Sequence, residues 1–125
     1  PSFIFKMDQL LISLSPKDFS FIVEGNMQDI FGVFSKHKVT MNLMQNSAIN
    51  LSVTVDNDEQ KTLGLLEELK KGYKVWLNNG LELVTIRHYN SKTIERVTKG
   101  KEILVEQKSR HTARFVMKDL GKAEV

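Results

Sequence analysis

Along the chain, the spacing of apolar positions switches repeatedly between a period of two and a period near 3.6. Phe3, Phe5 and Met7 alternate with Ile4 and Lys6, and Leu10, Ile12 and Leu14 alternate again, which predicts two short strands parted by a turn at Asp8-Gln9. Pro16 ends the second strand, because proline cannot donate to a sheet ladder. Phe19, Phe21 and Val23 lead into Glu24-Gly25-Asn26, read as a loop, and Met27, Ile30, Phe31 and Phe34 then recur at helical spacing. After Lys36-His37-Lys38 the period returns to two. Val39, Met41 and Leu43 predict one strand, Leu51, Val53 and Val55 another, with the polar turn Gln45-Asn46-Ser47-Ala48 between them.

The second half repeats this alternation of periods. Asp56 with Glu59, or Asn57 with Gln60, has the spacing of a reciprocal helix cap, and Leu63, Leu66 and Leu69, beside Thr62 and Leu65, form the expected buried stripe. Lys70 and Lys71 suit the helix C-terminus, and Gly72 stands where a left-handed capping residue is wanted. Tyr73–Leu77 predicts a strand, Asn78-Asn79-Gly80 a turn, and Leu81–Ile86 a nearly continuous apolar strand. Asn90-Ser91 can cap a short helix carrying Ile94 and Val97, ended at Gly100. Ile103–Val105 and Ala113–Met117 are two further strands, with Ser109-Arg110-His111 turning between them, and 119–125 carries no pattern.

Leu10 to Leu77 therefore reads β-α-β-β-α-β, the order of a ferredoxin-like unit. Leu81 to Met117 reads β-α-β-β, an incomplete second copy whose missing strand Phe3–Met7 can supply from the other end of the chain. The expected fold is α+β: a first module over 8–79, inserted in a discontinuous second module made of 1–7 and 80–125.

Composition narrows what such a fold could do. A chain of 125 residues is one domain or two small modules sharing a core. No apolar run approaches the ~18 residues of a membrane span, no secretory segment opens the chain, and cysteine is absent. A disulfide framework or thiolate metal site is thereby excluded, and the expected setting is cytoplasmic, with no membrane partner. The start at Pro1 without Met reads as a processed terminus or an excerpt of a longer protein. The net charge of +3 is concentrated in the last third, a surface that nucleic acid could use. Glu95, Glu102 and Glu106 interrupt it and no aromatics interleave, which is the pattern of a solvated face.

Catalytic chemistry finds no foothold. His37, His88 and His111 lack partners at metal-ligand spacing, no phosphate-binding glycine loop or nucleophile elbow occurs, and neither catalytic nor metal residues are expected. Two polar loops remain. Gly25 and Asn26 precede a helix, where free N–H groups favour a carboxylate, while Asn42, Asn46 and Ser47 offer acceptors for an ammonium group. A free α-amino acid needs both. The same residues also serve as ordinary turn and cap residues, with Gly25 supplying a positive φ, and the pattern leaves both readings open.

Gly25, the run Ile30-Phe31-Gly32-Val33-Phe34, Val39-Thr40-Met41-Asn42-Leu43-Met44 and the strand Leu51–Val55 resemble the first ACT module of aspartate kinases. Val75 to Val84 is similar to the junction between the two ACT modules of that family, and the resemblance weakens after Tyr89. It implies two ACT modules, the first inserted in the second, that dimerise side by side and bind lysine or threonine between first modules. By similarity the effector site would use Ser20, Val23, Gly25, Asn26 and Met27 on one side and Thr40, Met41, Asn42, Asn46, Ser47 and Ala48 on the other. Lysine-sensitive members carry aspartate where Asn42 stands and glutamate where Ala48 stands. The kinase domain, to which ATP and Mg would belong, is absent, so the implied role is a non-enzymatic regulatory region whose partners are an amino-acid effector, a second copy and the kinase domain of the same chain. An ACT sensor of another amino-acid enzyme, a dimerisation module without ligand and a ferredoxin-like nucleic-acid binder are the alternatives.

Overall fold

The computed structural model describes residues 1–119, so the unassigned tail beyond Asp119 lies outside the described residues. The elements run β1 (Ser2–Pro16), α1 (Glu24–Lys36), β2 (Leu43–Asn46), β3 (Leu51–Asp56), α2 (Glu59–Gly72), β4 (Tyr73–Arg87), α3 (Ser91–Thr98), β5 (Lys101–Lys108) and β6 (Thr112–Asp119). The fold is α+β, as expected. Backbone proximity divides it into two units, Leu10–Asn79 and a discontinuous one that joins Pro1–Gln9 to the described residues from Gly80 onward.

In the unit Leu10–Asn79 the strand order is β2-β3-β1-β4, with β2 and β3 antiparallel in the register Leu43↔Thr54 to Asn46↔Leu51. Leu10, Ile12 and Leu14 of β1, Leu51, Val53 and Val55 of β3, Ile30, Val33 and Phe34 of α1, and Leu65 and Leu69 of α2 make one buried core. Burying such side chains contributes roughly 1.5–3 kcal/mol each, and this core is what holds both helices on one face of the sheet. Met27, Val39 and Met41 pack against it half-buried. Two expected core residues are not there. Phe31 is 42% and Leu63 64% exposed, because the 100° step per residue carries them past the edges of the stripes centred on Ile30–Phe34 and Leu65–Leu69.

Helix ends also depart from the sequence reading. Glu24, Gly25 and Asn26 form the first turn of α1 rather than a loop before it, and Gly25 does not adopt a positive φ. Lys38 takes the left-handed position after α1 (φ 56), with Val39 N–H reaching Phe34 O at 3.0 Å and Lys38 N–H reaching Ser35 O at 3.1 Å, a Schellman closure without glycine. The N-cap of α2 is Asp58 rather than Asp56 or Asn57, and no side chain caps it. Gly72 is helical and Tyr73 is already extended, so no left-handed glycine intervenes there. The expected strand from Val39 begins only at Leu43, and the β2–β3 turn is displaced to 47–50, because Asn46 pairs with Leu51.

The two expected turns at Asp8-Gln9 and Asn78-Asn79-Gly80 do not reverse the chain. Each lies within a continuous 15-residue strand, β1 or β4, at a positive-φ residue, Asp8 (φ 49) or Gly80 (φ 66). A positive φ inside a strand is the mark of a bulge, which shifts the in–out alternation by one residue. The boundary between the two units passes through these strands next to those residues.

In the discontinuous unit the strand order is β1-β4-β6-β5, β6 antiparallel to both neighbours. Val84, Ile86, Ala113, Phe115 and Met117 are its buried core, with Phe3, Ile94 and Val97 packed against them. The α3 cap is as expected: Asn90 Oδ1 accepts from Thr93 N–H at 2.9 Å and Thr93 Oγ1 accepts from Asn90 N–H at 2.9 Å. β5 and β6 are longer than their apolar centres predict, since polar and charged residues extend both ends, Thr112 being the added residue at the start of β6.

Candidate functional site

The residues singled out from sequence all lie in the unit Leu10–Asn79, and the structure sorts them into two groups. In the first, a short loop carries the chain from β1 to α1. Phe19 N–H donates to Pro16 O at 3.1 Å, and Ser20 N–H donates to Asp18 Oδ1 at 3.0 Å. The hydrogen bonds of Ser20, side chain and backbone, hold the Asp18 carboxyl below its usual range. Phe19 adopts a left-handed backbone (φ 60), with the ammonium of Lys74 3.8 Å above its ring.

Ile22 N–H then donates to Ala48 O at 2.9 Å, which ties the approach to α1 to the turn after β2. Val23 follows as N-cap. It has no acceptor side chain; instead its own N–H is taken by Asn26 Oδ1 at 3.0 Å, half of a capping box. Glu24 and Gly25 are left with N–H groups that have no acceptor among the described residues. Ser20, Val23, Gly25, Asn26, Met27 and Ala48 are thus gathered around the start of α1.

Asn46 and Ser47 adjoin this group through Ala48, but Ser47 is engaged in its own turn. Its Oγ donates to Asn50 Oδ1 at 2.8 Å, and its N–H donates to Asn50 O at 2.9 Å. That is the turn role which the sequence left open. Asn46 ends β2, exposed, opposite Leu51.

Thr40, Met41 and Asn42 form the second group. Asn42 Nδ2 donates to Asp56 Oδ1 at 2.9 Å and its N–H donates to Thr54 O at 2.8 Å. Thr40 lines a small cleft of about 110 Å³ with Lys38, Asp56, Asp58 and Lys61, at the opposite end of β2. Four residue steps of extended chain, roughly 13 Å, part Asn42 from Asn46, and Met41 is turned to the core. Within one copy the structure does not bring Thr40 and Asn42 to the start of α1.

A larger cleft, about 370 Å³, opens beside that start. Ser20 and Asn26 line it together with Lys17, Asp18, Asp29 and Tyr73. Tyr73 is 6% exposed, and its hydroxyl donates to Asp29 Oδ2 at 2.9 Å, with Asn26 Nδ2 at 3.5 Å. Burial pushes the Tyr73 hydroxyl above its ordinary pKa; the Asn26 amide opposes this and the Asp29 carboxylate reinforces it. Sequence reading missed Lys17, Asp18, Asp29 and Tyr73 as cleft residues. The one available signal was Tyr73 itself, since a tyrosine in an apolar strand position needs a partner for its hydroxyl.

Phe19, Phe21, Val23 and Ile49 stand exposed around this end of the unit at 69%, 68%, 54% and 54%. Exposed apolar side chains gathered in this way are typical of contact surfaces. Among the described residues no group of three His, Asp or Glu side chains is placed to hold a metal, and no helix is long and apolar enough to cross a membrane.

The arrangement is α+β, and each of the two units has the ferredoxin-like strand order. Solved structures identify the particular version: the chain has the fold of aspartate kinase regulatory regions. It is similar to Escherichia coli aspartokinase III in complex with lysine and aspartate (20% identity, 99% of this chain and 30% of that one, TM-score 0.74). It is similar also to a putative C-terminal regulatory domain of aspartate kinase from Porphyromonas gingivalis W83 (14% identity, 98% and 89% covered, TM-score 0.77). A third likeness is to the regulatory subunit of aspartate kinase from Thermus flavus (14% identity, 94% and 87% covered, TM-score 0.69). At these identities the likeness is one of fold. The chain spans about a third of the length of the E. coli enzyme and nearly all of the separate regulatory domains. No protein-family model and no curated protein sequence matches it.

Proposed function

We propose that this chain is the regulatory part of an aspartate kinase, made of two ACT modules, without catalytic activity of its own, that senses an end-product amino acid and pairs with a second copy. The first module corresponds to 8–79 and the second to 1–7 with 80–125. The observation that carries the reading is the Ile22–Ala48 hydrogen bond, which sets the hairpin turn beside the start of α1. Free N–H groups at that start suit a carboxylate. The E. coli relative was solved with lysine and aspartate, which supports an amino acid as effector. The exposed Phe19, Phe21, Val23 and Ile49 suit contact with another copy.

In this mechanism the second copy brings its Thr40–Asn42 group within reach of the first copy's helix start, so the site is complete only between copies. Effector then favours one dimer arrangement, and the attached kinase domain, with its ATP and Mg, feels the shift. It can do so only as far as it binds that arrangement more tightly. Lysine and threonine are the expected effectors. Titration calorimetry with L-lysine, L-threonine and a panel of other amino acids, with sedimentation of the chain at each end point, tests this. Binding accompanied by a stable dimer supports sensing; a dimer that binds none of them refutes it.

That second result has one structural observation in its favour. Ser47 and Asn42 already spend their polar groups on Asn50 and Asp56. A pairing module without effector is therefore the competing reading.

A further inference from the structure

The cleft beside the start of α1 is lined by charges of both signs, Lys17 against Asp18 and Asp29, together with the largely buried Tyr73. Asp29 accepts the Tyr73 hydrogen at Oδ2, while its other oxygen has no partner among the described residues. Lys17 forms no ion pair among the described residues, and Asp18 keeps one oxygen on Ser20 N–H. The cleft volume of about 370 Å³ falls within the ~300–1,000 Å³ range of small-molecule sites.

From this geometry we infer that Asp29, oriented by Tyr73, receives the α-ammonium group of a free amino acid, while Lys17, which lines the same cleft, receives its carboxylate. The inference rests on the sensing role proposed above and moves the ammonium contact to residues outside the sequence-expected set. Three features support it. A carboxylate accepting a hydroxyl hydrogen on one oxygen is fixed in orientation, so its second oxygen is aimed rather than free to turn. Tyr73 is rigid because it is 6% exposed and belongs to the core beneath α1 and α2. Asn26 is itself held in place on the cleft wall: its Oδ1 takes Val23 N–H, and its Nδ2 faces the Tyr73 hydroxyl.

Tyr73 is on this account a positioning residue and Asp29 the contact. Titration calorimetry of the 125-residue chain with L-lysine and L-threonine is run on wild type, Asp29→Asn and Tyr73→Phe, with circular dichroism confirming the fold. The expected result is at least a tenfold loss of affinity in Asp29→Asn and a several-fold loss in Tyr73→Phe, with unchanged stoichiometry. An amino acid that binds wild type and both variants equally overturns this inference and leaves the sensing role standing. If neither amino acid binds wild type, this inference falls, and the sensing role falls with it only where the wider panel of amino acids is silent as well. Should Tyr73→Phe not fold, Asp29→Asn decides alone, since Asp29 is exposed and contributes nothing to the core.

Discussion

Asn42 donates its side-chain amide to the carboxylate of Asp56 at 2.9 Å, across the open end of β2 and β3. The bond explains why an amide suits this position. A carboxylate at residue 42 would meet Asp56 within hydrogen-bond distance, and two like charges there cannot both ionise freely. Asn42→Asp is therefore expected to lower stability by roughly 1–2 kcal/mol at pH 7, combining the lost hydrogen bond with repulsion. Sign follows from the pair: the carboxyl pKa is raised in the folded variant, so the penalty exists above the unfolded value, about 3.9, and fades as pH drops below it. Urea unfolding at pH 7 and pH 4 checks this, and an equal loss at both would sink it.

Thr54 is fully buried in β3, and its hydroxyl oxygen has no hydrogen-bond partner among the described residues. Its carbonyl, which accepts from Asn42 N–H at 2.8 Å, is independent of the side chain. Valine has the same shape without the polar atom, so Thr54→Val is expected to stabilise by about 1 kcal/mol. For a chain of this size that is a rise of roughly 4 °C in Tm, readable by calorimetric melting.

The order of elements was legible in sequence because apolar periodicity reports which residues face a core. The joints were not. Asp8-Gln9 and Asn78-Asn79-Gly80 break the alternation in the way that a hairpin does, and only pairing beyond the break distinguishes a bulge from a reversal. Half of the candidate site was legible for the same reason: Ser20 to Met27 are contiguous, and the chain places them together. Tyr73 and Asp29 are 44 residues apart and meet only when α1 packs over β4. Likewise, nothing local to Asn42 announces Asp56.

Ala48 stands exposed, and only its carbonyl is engaged, by Ile22. A longer side chain is accommodated there at a cost within about 0.5 kcal/mol. Lysine-sensitive aspartate kinases carry glutamate at this place. Ala48→Glu is thus expected to strengthen L-lysine binding relative to L-threonine by roughly two- to fivefold, the worth of one exposed ion pair of 0.5–1 kcal/mol. Parallel calorimetric titrations measure the ratio; no change, or a shift toward threonine, counts against the proposed site.

Where α1 meets α2, His37 Nε2–H donates to Glu68 Oε1 at 2.9 Å, and Lys36 Nζ approaches the same oxygen at 3.0 Å. The ring of His37 lies close over Gly64, where an added Cβ would come within 3.2 Å of it. These contacts, His37 first and Lys36 second, depress the Glu68 pKa. A depressed carboxyl pKa contributes stability that is present above the unfolded value, about 4.3, and is lost as pH falls through the folded one. Glu68→Gln is expected to flatten the fall in urea midpoint below pH 5, and His37→Ala to flatten it nearly as much. If His37→Ala leaves the acid limb steep, Lys36 rather than His37 sets the Glu68 charge.

Lys101 at the start of β5 sits between two acids, Glu82 Oε1 at 2.8 Å and Asp119 Oδ2 at 3.3 Å, with its side chain 20% exposed. Glu82, on β4, is 9% exposed, so Lys101 is the ion-pair partner of a nearly buried carboxylate. The Lys101 pKa is raised, by the Glu82 hydrogen bond first. A raised lysine pKa gives stability fully present below the unfolded value, about 10.4, and lost as pH climbs through the folded one. Removing the ammonium alone leaves a nearly buried carboxylate unpaired. Lys101→Met is expected to cost about 2 kcal/mol, less than the 3–5 kcal/mol of fully buried pairs because water still reaches Lys101. Glu82→Gln in the same chain should return more than half of that loss, since the orphaned charge is gone. A double-mutant cycle by urea unfolding at pH 7 separates the cases. Additive losses would mean that Glu82 is solvated well enough to stand alone, and that Lys101 stabilises β5 through Asp119 instead.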